Sequence, residues 1–190
     1  MFAKIAERIT ENMEDNHIIK HDDRELYVYG FNQGLNILLN LITTLVVGLL
    51  FRNILELAIF MATYIPLRSF AGGYHAKTPV RCYIFSIILI LAFSLMMKYV
   101  HFTIFICSIM IVVSSSIILF LAPVEDKNKP IDEREQNVYR KKSFIILAVE
   151  ICSWPFMCLI LRKYEVIIPI VFITEASMLI LGIVKNQKNR

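Results

Sequence analysis

Apolar residues gather into six runs along the chain, at about 31–51, 54–67, 83–97, 102–122, 144–161 and 166–184. A helix that crosses a bilayer needs roughly 20 mainly apolar residues. The first, fourth, fifth and sixth runs meet that length. The second and third hold only 14 and 15 residues, short enough to be tilted, re-entrant or extended into their flanks. A backbone in hydrocarbon must satisfy its own N–H and C=O groups, so the runs predict helices. They are too continuous for the alternating pattern of a membrane barrel. Ahead of them, Phe2, Ile5, Ile9 and Met13 recur at three- to four-residue spacing among charges. That spacing predicts an amphipathic helix over 1–28, suited to the membrane interface or to a solvated cap. The predicted fold is all-α: a polytopic membrane helical bundle with an interfacial helix at its N-terminus. It is read as a single membrane-embedded domain over 1–190, with the bundle at 29–184 and a tail at 185–190.

Composition agrees with the pattern. Hydrophobic residues make up 57% of the 190 and charged residues 19%, and mean hydropathy is +0.61. Soluble domains sit near 45–50% apolar and about 25% charged. The first 30 residues are too charged to hold the apolar core of a secretory signal, so the first run is expected to be kept as a span. Six crossings with both termini in the cytoplasm would put sixteen of the 20 Lys and Arg residues inside and four outside. The positive-inside rule favours that orientation. The loops at 68–82 and 123–143 would then face the cytoplasm.

The two short runs flank the most unusual loop, Arg68-Ser-Phe-Ala-Gly-Gly-Tyr-His75-Ala-Lys-Thr-Pro-Val-Arg-Cys82. Gly72 and Gly73 permit backbone angles that other residues avoid. Pro79 bars one unbroken helix from His75 to Cys82. Arg68, Lys77 and Arg81 make the stretch electropositive. A cysteine nucleophile must be a thiolate, which nearby cations and helix N-termini favour. Cys82 has Arg81 beside it and stands at the start of an apolar run. His75 is a candidate base and proton donor. From the residues alone the pair is either a nucleophile with its base, or a solvated loop histidine near an inert boundary cysteine. Cys107, Cys152 and Cys158 lie inside apolar runs, and no spacing suggests a disulfide framework or a metal site.

The string Arg68-x3-Gly72-Gly73-x-His75-Ala76, with Cys82 seven residues after the histidine, resembles the accessory gene regulator B family. These are membrane cysteine endopeptidases that process quorum-sensing propeptides in Gram-positive bacteria. Ala122-Pro123-Val124 and Asn128-Lys129-Pro130-Ile131 look like the family's Ala-Pro and Lys-Pro stretches. Glu175-Ala176 in the last run is similar to a further family feature. The resemblance implies that His75 and Cys82 are catalytic and that Arg68 is functional. It sets Asn32 and Gln33 where members often carry Glu or Gln. It implies a precursor peptide as substrate, release of its C-terminal tail through an acyl-thioester, and cyclisation to a thiolactone or lactone. It also implies a homodimer in the cell membrane. Nothing in the sequence calls for a cofactor, a metal or nucleic acid.

The supporting candidates are Arg68, Gly72, Gly73, Lys77, Glu150 and Glu175. Acidic residues within apolar runs usually face a bundle interior or a wet cavity. Glu150 is open to orienting His75, pairing with a substrate lysine, or lying hydrated near Lys141 and Lys142. Glu56, three residues from Asn53, is expected to be hydrated at an interface. Asn32, Asn36 and Asn40 share one helix face, where side-chain amides often bond between helices. The mixed charges of 125–142 suggest a solvated connector. The rival to the enzyme is a small non-enzymatic membrane transporter or peptide exporter, which intramembrane carboxylates would suit.

Overall fold

The computed structural model describes residues 2–74, 76, 78–125 and 132–188. The architecture is all-α. Among the described residues the helices are α1 (Ala3–Asp15), α2 (Arg24–Phe51), α3 (Ile54–Ala71), α4 (Pro79–Tyr99), α5 (Ile104–Leu121), α6 (Glu133–Ile160) and α7 (Ile167–Lys188). Six of them, α2 to α7, are long and apolar enough to cross a membrane. The two short apolar runs resolve into helices of 18 and 21 residues, because α3 and α4 continue past their apolar stretches into polar flanks. The chain forms two compact units, Met1–Arg52 with Ala76–Ala92, and Asn53–His75 with Phe93–Arg190.

In the first unit α1 is a 13-residue helix, shorter than the 1–28 expected. His17 takes the left-handed backbone with φ 55°, which a right-handed helix cannot pass through. Residues 24–28 therefore open α2 instead. The reversal lays α1 along α2 and buries Ala6 and Thr10. Thr10 Oγ1 donates to the Ala6 carbonyl at 2.8 Å, so its hydroxyl is not left unbonded on the packed face. Ile5 remains 50% exposed, so part of the apolar edge is free of α2. Asn32 accepts from the Phe2 amide at 3.2 Å, joining the two helices. Among the described residues, Asn36 and Asn40 do not bond between helices. Their side-chain amides donate to Asn32 O and Asn36 O of the same helix, at 2.8 and 2.9 Å, the local alternative that short amide side chains offer. Gln33 donates to the Tyr29 hydroxyl at 3.3 Å. Arg52, left-handed at φ 57°, ends α2. Farther along, Thr43 Oγ1 and Tyr83 Oη lie 2.7 Å apart, joining α2 to α4.

The second unit is built around α7, which packs on α3 and α5. Ile167, Ile168, Val171, Phe172 and Leu179 are buried on it. Lipid tails are as apolar as these side chains, so helix association in a bilayer draws on close packing and polar pairs rather than on transfer from water. The aromatic stack of Phe60 with Phe93 (centroids 4.4 Å apart) and Tyr64 (5.4 Å) supplies such packing. Trp154 Nε1 donates to Glu165 O at 2.8 Å and fastens the end of α6 to the turn before α7. Glu56 departs from expectation. It is buried, 5% exposed, and its carboxylate meets Lys163 Nζ at 2.6 Å. An unpaired carboxylate there would be costly, and the lysine, at the mouth of α7, reaches in from solvent. Large apolar side chains such as Leu50, Phe105, Phe120 and Leu159 stand exposed, as lipid-facing residues do and as few soluble proteins tolerate.

Candidate active site

The last turn of α3 carries Arg68, and Gly72 caps the helix. Gly72 has φ 77° and Gly73 φ 112°, backbone that side chains rarely adopt. Space excludes side chains there as well. A Cβ on Gly72 would strike the Val124 carbonyl, and one on Gly73 would lie 2.9 Å from Met178 O. The turn is then tied on two sides. Val124 N–H donates to Ala71 O at 2.9 Å and Gly73 N–H donates to Val124 O at 3.1 Å. Together they make a short parallel bridge between Gly72 and Val124. Tyr74 N–H donates to Met178 O of α7 at 2.9 Å. Gly182 of α7 provides the notch: its own missing Cβ would sit 2.8 Å from Gly73 C and 2.9 Å from Tyr74 N.

Arg68 closes the same turn from inside. Its guanidinium donates from Nη1 to Gly72 O and from Nη2 to Tyr74 O, so the planar fork spans both ends of the Gly-Gly turn. Behind it Glu175 Oε1 lies 3.7 Å from Arg68 Nη1, with the Arg68 side chain 17% exposed and that of Glu175 0%. Neither Glu175 oxygen accepts a hydrogen bond among the described residues. Glu175 acts on the guanidinium as a counter-charge, which at this distance in a dry interior is worth more than in water. Lys185 Nζ stands 5.4 Å from the Tyr74 ring centroid, and Asn186 Nδ2 donates to Glu125 O at 2.7 Å. The end of α7 thus holds both the Gly-Gly turn and the segment that follows α5.

Cys82 lies on α4. Thr78 caps that helix: its Oγ1 accepts from Arg81 N at 3.3 Å, and its carbonyl accepts from Cys82 N at 3.0 Å. Pro79 follows as the first helical residue, where its missing N–H costs nothing. The helix therefore starts three residues before Cys82, which sits within the first turn rather than at the first residue. The thiol is free and exposed. Of the other cysteines, Cys107 is buried, Cys152 exposed and Cys158 part-exposed, all free.

His75 and Lys77 lie outside the described residues, as does 126–131 with its Lys-Pro motif. Glu150 is on α6 and 6% exposed, so it is not hydrated. Its Oε2 has no hydrogen-bond partner among the described residues. Arg68, Gly72, Gly73 and Glu175 are brought together. Gly182, Val124 and the carbonyl of Met178 are additional members of this cluster. A glycine inside the last apolar run was the available signal for Gly182, since such a residue marks close approach of another backbone. Nothing in the sequence marks the Met178 carbonyl.

The sequence profile described as accessory gene regulator B matches residues 4–183, which includes every member of this cluster. The chain belongs to the accessory gene regulator B family. Two relatives illustrate the likeness. A Clostridium perfringens (strain SM101 / Type A) protein described as AgrB-like is 29% identical over 157 residues, 78% of this chain and 73% of the relative. Accessory gene regulator protein B of Staphylococcus aureus (strain Newman) is 28% identical over 151 residues, 77% of this chain and 78% of the relative. No solved structure matches. As a member of the AgrB family the chain is involved in accessory gene regulation. In this AgrB family member the Ala-Pro-Val and Glu-Ala stretches, far apart in sequence, meet at the Gly-Gly turn.

Proposed function

We propose that the chain is a membrane cysteine endopeptidase that removes the C-terminal tail of an autoinducing-peptide precursor and promotes cyclisation of the remainder. The observation that carries this reading is the convergence of Arg68, Gly72–Tyr74, Val124, Glu175 and Gly182 on the turn that leads directly into His75. A turn held by so many bonds suits a residue whose placement matters. The exposed Cys82 thiol in the first turn of a capped helix, with Arg81 as its sequence neighbour, supports the other half.

In this mechanism His75 takes the thiol proton and Cys82 Sγ attacks the carbonyl carbon of the scissile peptide. The tetrahedral intermediate collapses as His75 protonates the departing amine, and the tail leaves with its new N-terminus. The acyl group stays on Cys82 as a thioester. An internal Cys or Ser of the peptide attacks that carbonyl, closing a thiolactone or lactone and returning the thiol to Cys82. Exchange of one thioester for another nearly conserves its energy, so a thiolactone needs no nucleotide. Water at the acyl-thioester would divert it to a linear acid, which a membrane-edge site disfavours. The protein acts as one membrane-embedded peptidase domain and as a homodimer, in the cell membrane of a Gram-positive bacterium. Its termini and the His75–Cys82 loop face the cytoplasm, where the precursor lies on the inner leaflet. Arg68, Gly72, Gly73, Lys77, Glu150 and Glu175 serve in support or in binding the precursor.

The test uses purified protein in liposomes with a cognate precursor peptide. Cys82→Ala abolishes tail release, and Cys82→Ser comes close to abolishing it. Normal cleavage by Cys82→Ala would sink the mechanism. Normal cleavage by His75→Ala, with Cys82→Ala inactive, would remove only the base.

A further inference from the structure

We infer that Arg68 and Glu175 form a positioning clamp, with Gly182 as its seat, which acts on the reaction through the backbone of Gly72 and Tyr74 and not by binding the precursor. The inference rests on the peptidase reading and assigns these residues a role within it. Arg68 is largely buried, and its two terminal nitrogens are committed to the carbonyls on either side of Gly73. A precursor carboxylate would have to reach a largely buried guanidinium, share it with both carbonyls and compete with Glu175 for the same charge. Glu175 is fully buried and cannot touch a peptide. Any influence it has on the reaction therefore runs through Arg68. Each component answers a different freedom of the turn. The guanidinium fixes the two carbonyls, Val124 O and Met178 O fix the two amides, and Gly182 lets the backbone of the turn rest directly on α7. Without Glu175 the guanidinium would keep its two carbonyls but lose the charge that draws it inward. A lysine in place of Arg68 cannot bridge two carbonyls with a planar fork.

The experiment compares wild type, Glu175→Gln, Arg68→Lys and the double variant Arg68→Gln/Glu175→Gln, each full length in liposomes. The precursor is the one that wild type processes in the assay above. A clamp that places the turn predicts kcat down about 100-fold for Glu175→Gln, as expected of a displacement near 1 Å, with KM nearly unchanged. Arg68→Lys, which cannot bridge the two carbonyls, falls in kcat by a similar factor with KM nearly unchanged. The double variant leaves no lone buried charge, so it folds even where a single one does not. It should be no worse than the more damaged single variant, since the two residues act as a unit. Hydrogen exchange at the Gly73 and Tyr74 amides should speed about tenfold in Glu175→Gln, whether or not peptide is present. Wild-type kcat in folded Glu175→Gln, or unaltered exchange at those amides, would overturn the clamp. A raised KM at constant kcat in the Arg68 variants would also overturn it and make Arg68 a precursor-binding residue. Cys82→Ala run in parallel separates the two readings. If it cleaves, the peptidase reading falls while the exchange result still judges the clamp. If it is inactive and Glu175→Gln is fully active, only the clamp falls.

Discussion

Gly182→Ala adds one methyl group at the point where the Gly-Gly turn rests on α7, and two opposing effects can be weighed. Alanine is favoured over glycine inside a helix by about 1 kcal/mol. The new Cβ, however, would lie 2.8 Å from Gly73 C, 2.9 Å from Tyr74 N and 3.0 Å from Gly73 Cα, where ordinary contact begins at 3.4 Å. All three neighbours are backbone atoms, so no side chain can rotate away. Forced overpacking of this kind costs about 1–3 kcal/mol. The net effect on stability is a loss of about 0–2 kcal/mol once the helix gain is subtracted. The effect on activity should be much larger. Relieving the contact moves the turn by roughly 0.5–1 Å, and displacement on that scale can cost about 10–100-fold in rate. The assay pairs tail release with thermal unfolding of the same preparation. Gly34→Ala is the control, because a Cβ there meets nothing within 4 Å. It should show the helix gain and full activity. If Gly182→Ala matched Gly34→Ala in both stability and cleavage rate, the notch and the seating of the turn would be refuted.

Two further perturbations test other joints. Lys163→Met leaves the buried Glu56 carboxylate without its cation, so the unfolding midpoint should fall, and adding Glu56→Gln should recover most of the loss. A midpoint indifferent to Lys163→Met would show that Glu56 draws nothing from the pair. Thr78→Ala removes the cap of α4, at a cost of about 0.5–2 kcal/mol. Hydrogen exchange at Arg81 and Cys82 should then quicken by about 2- to 30-fold, the same free energy expressed as a rate, while Thr78→Ser stays near wild type.

Much of this protein is legible from its residues in order. The six apolar runs give six helices because hydrocarbon offers the backbone no partner but itself. The Gly-Gly pair reads as a turn because positive φ suits little else. Pro79 reads as a bar to one unbroken helix from His75 to Cys82, yet it opens α4, so the apolar count alone sets that start four residues late. Boundaries slip wherever polar residues join an apolar helix, as at the C-terminal end of α3 and at both ends of α4. They slip too where one left-handed residue such as His17 ends a periodic pattern.

Long-range partners are another matter. Arg68 and Glu175 both stand out in the sequence, yet nothing local says that one counters the other's charge. Glu56 reads as a hydrated carboxylate because Asn53 is near it in sequence, and it is buried because Lys163, more than a hundred residues on, reaches it. Local order determines periodicity, turn chemistry and capping, since these depend on neighbours within a few residues. Which backbone carbonyl receives Tyr74, which glycine admits the turn, and which carboxylate lies behind Arg68 depend on how α3, α5 and α7 pack. Only the tertiary structure decided them, because a buried charge or amide is satisfied by whatever group the fold sets beside it.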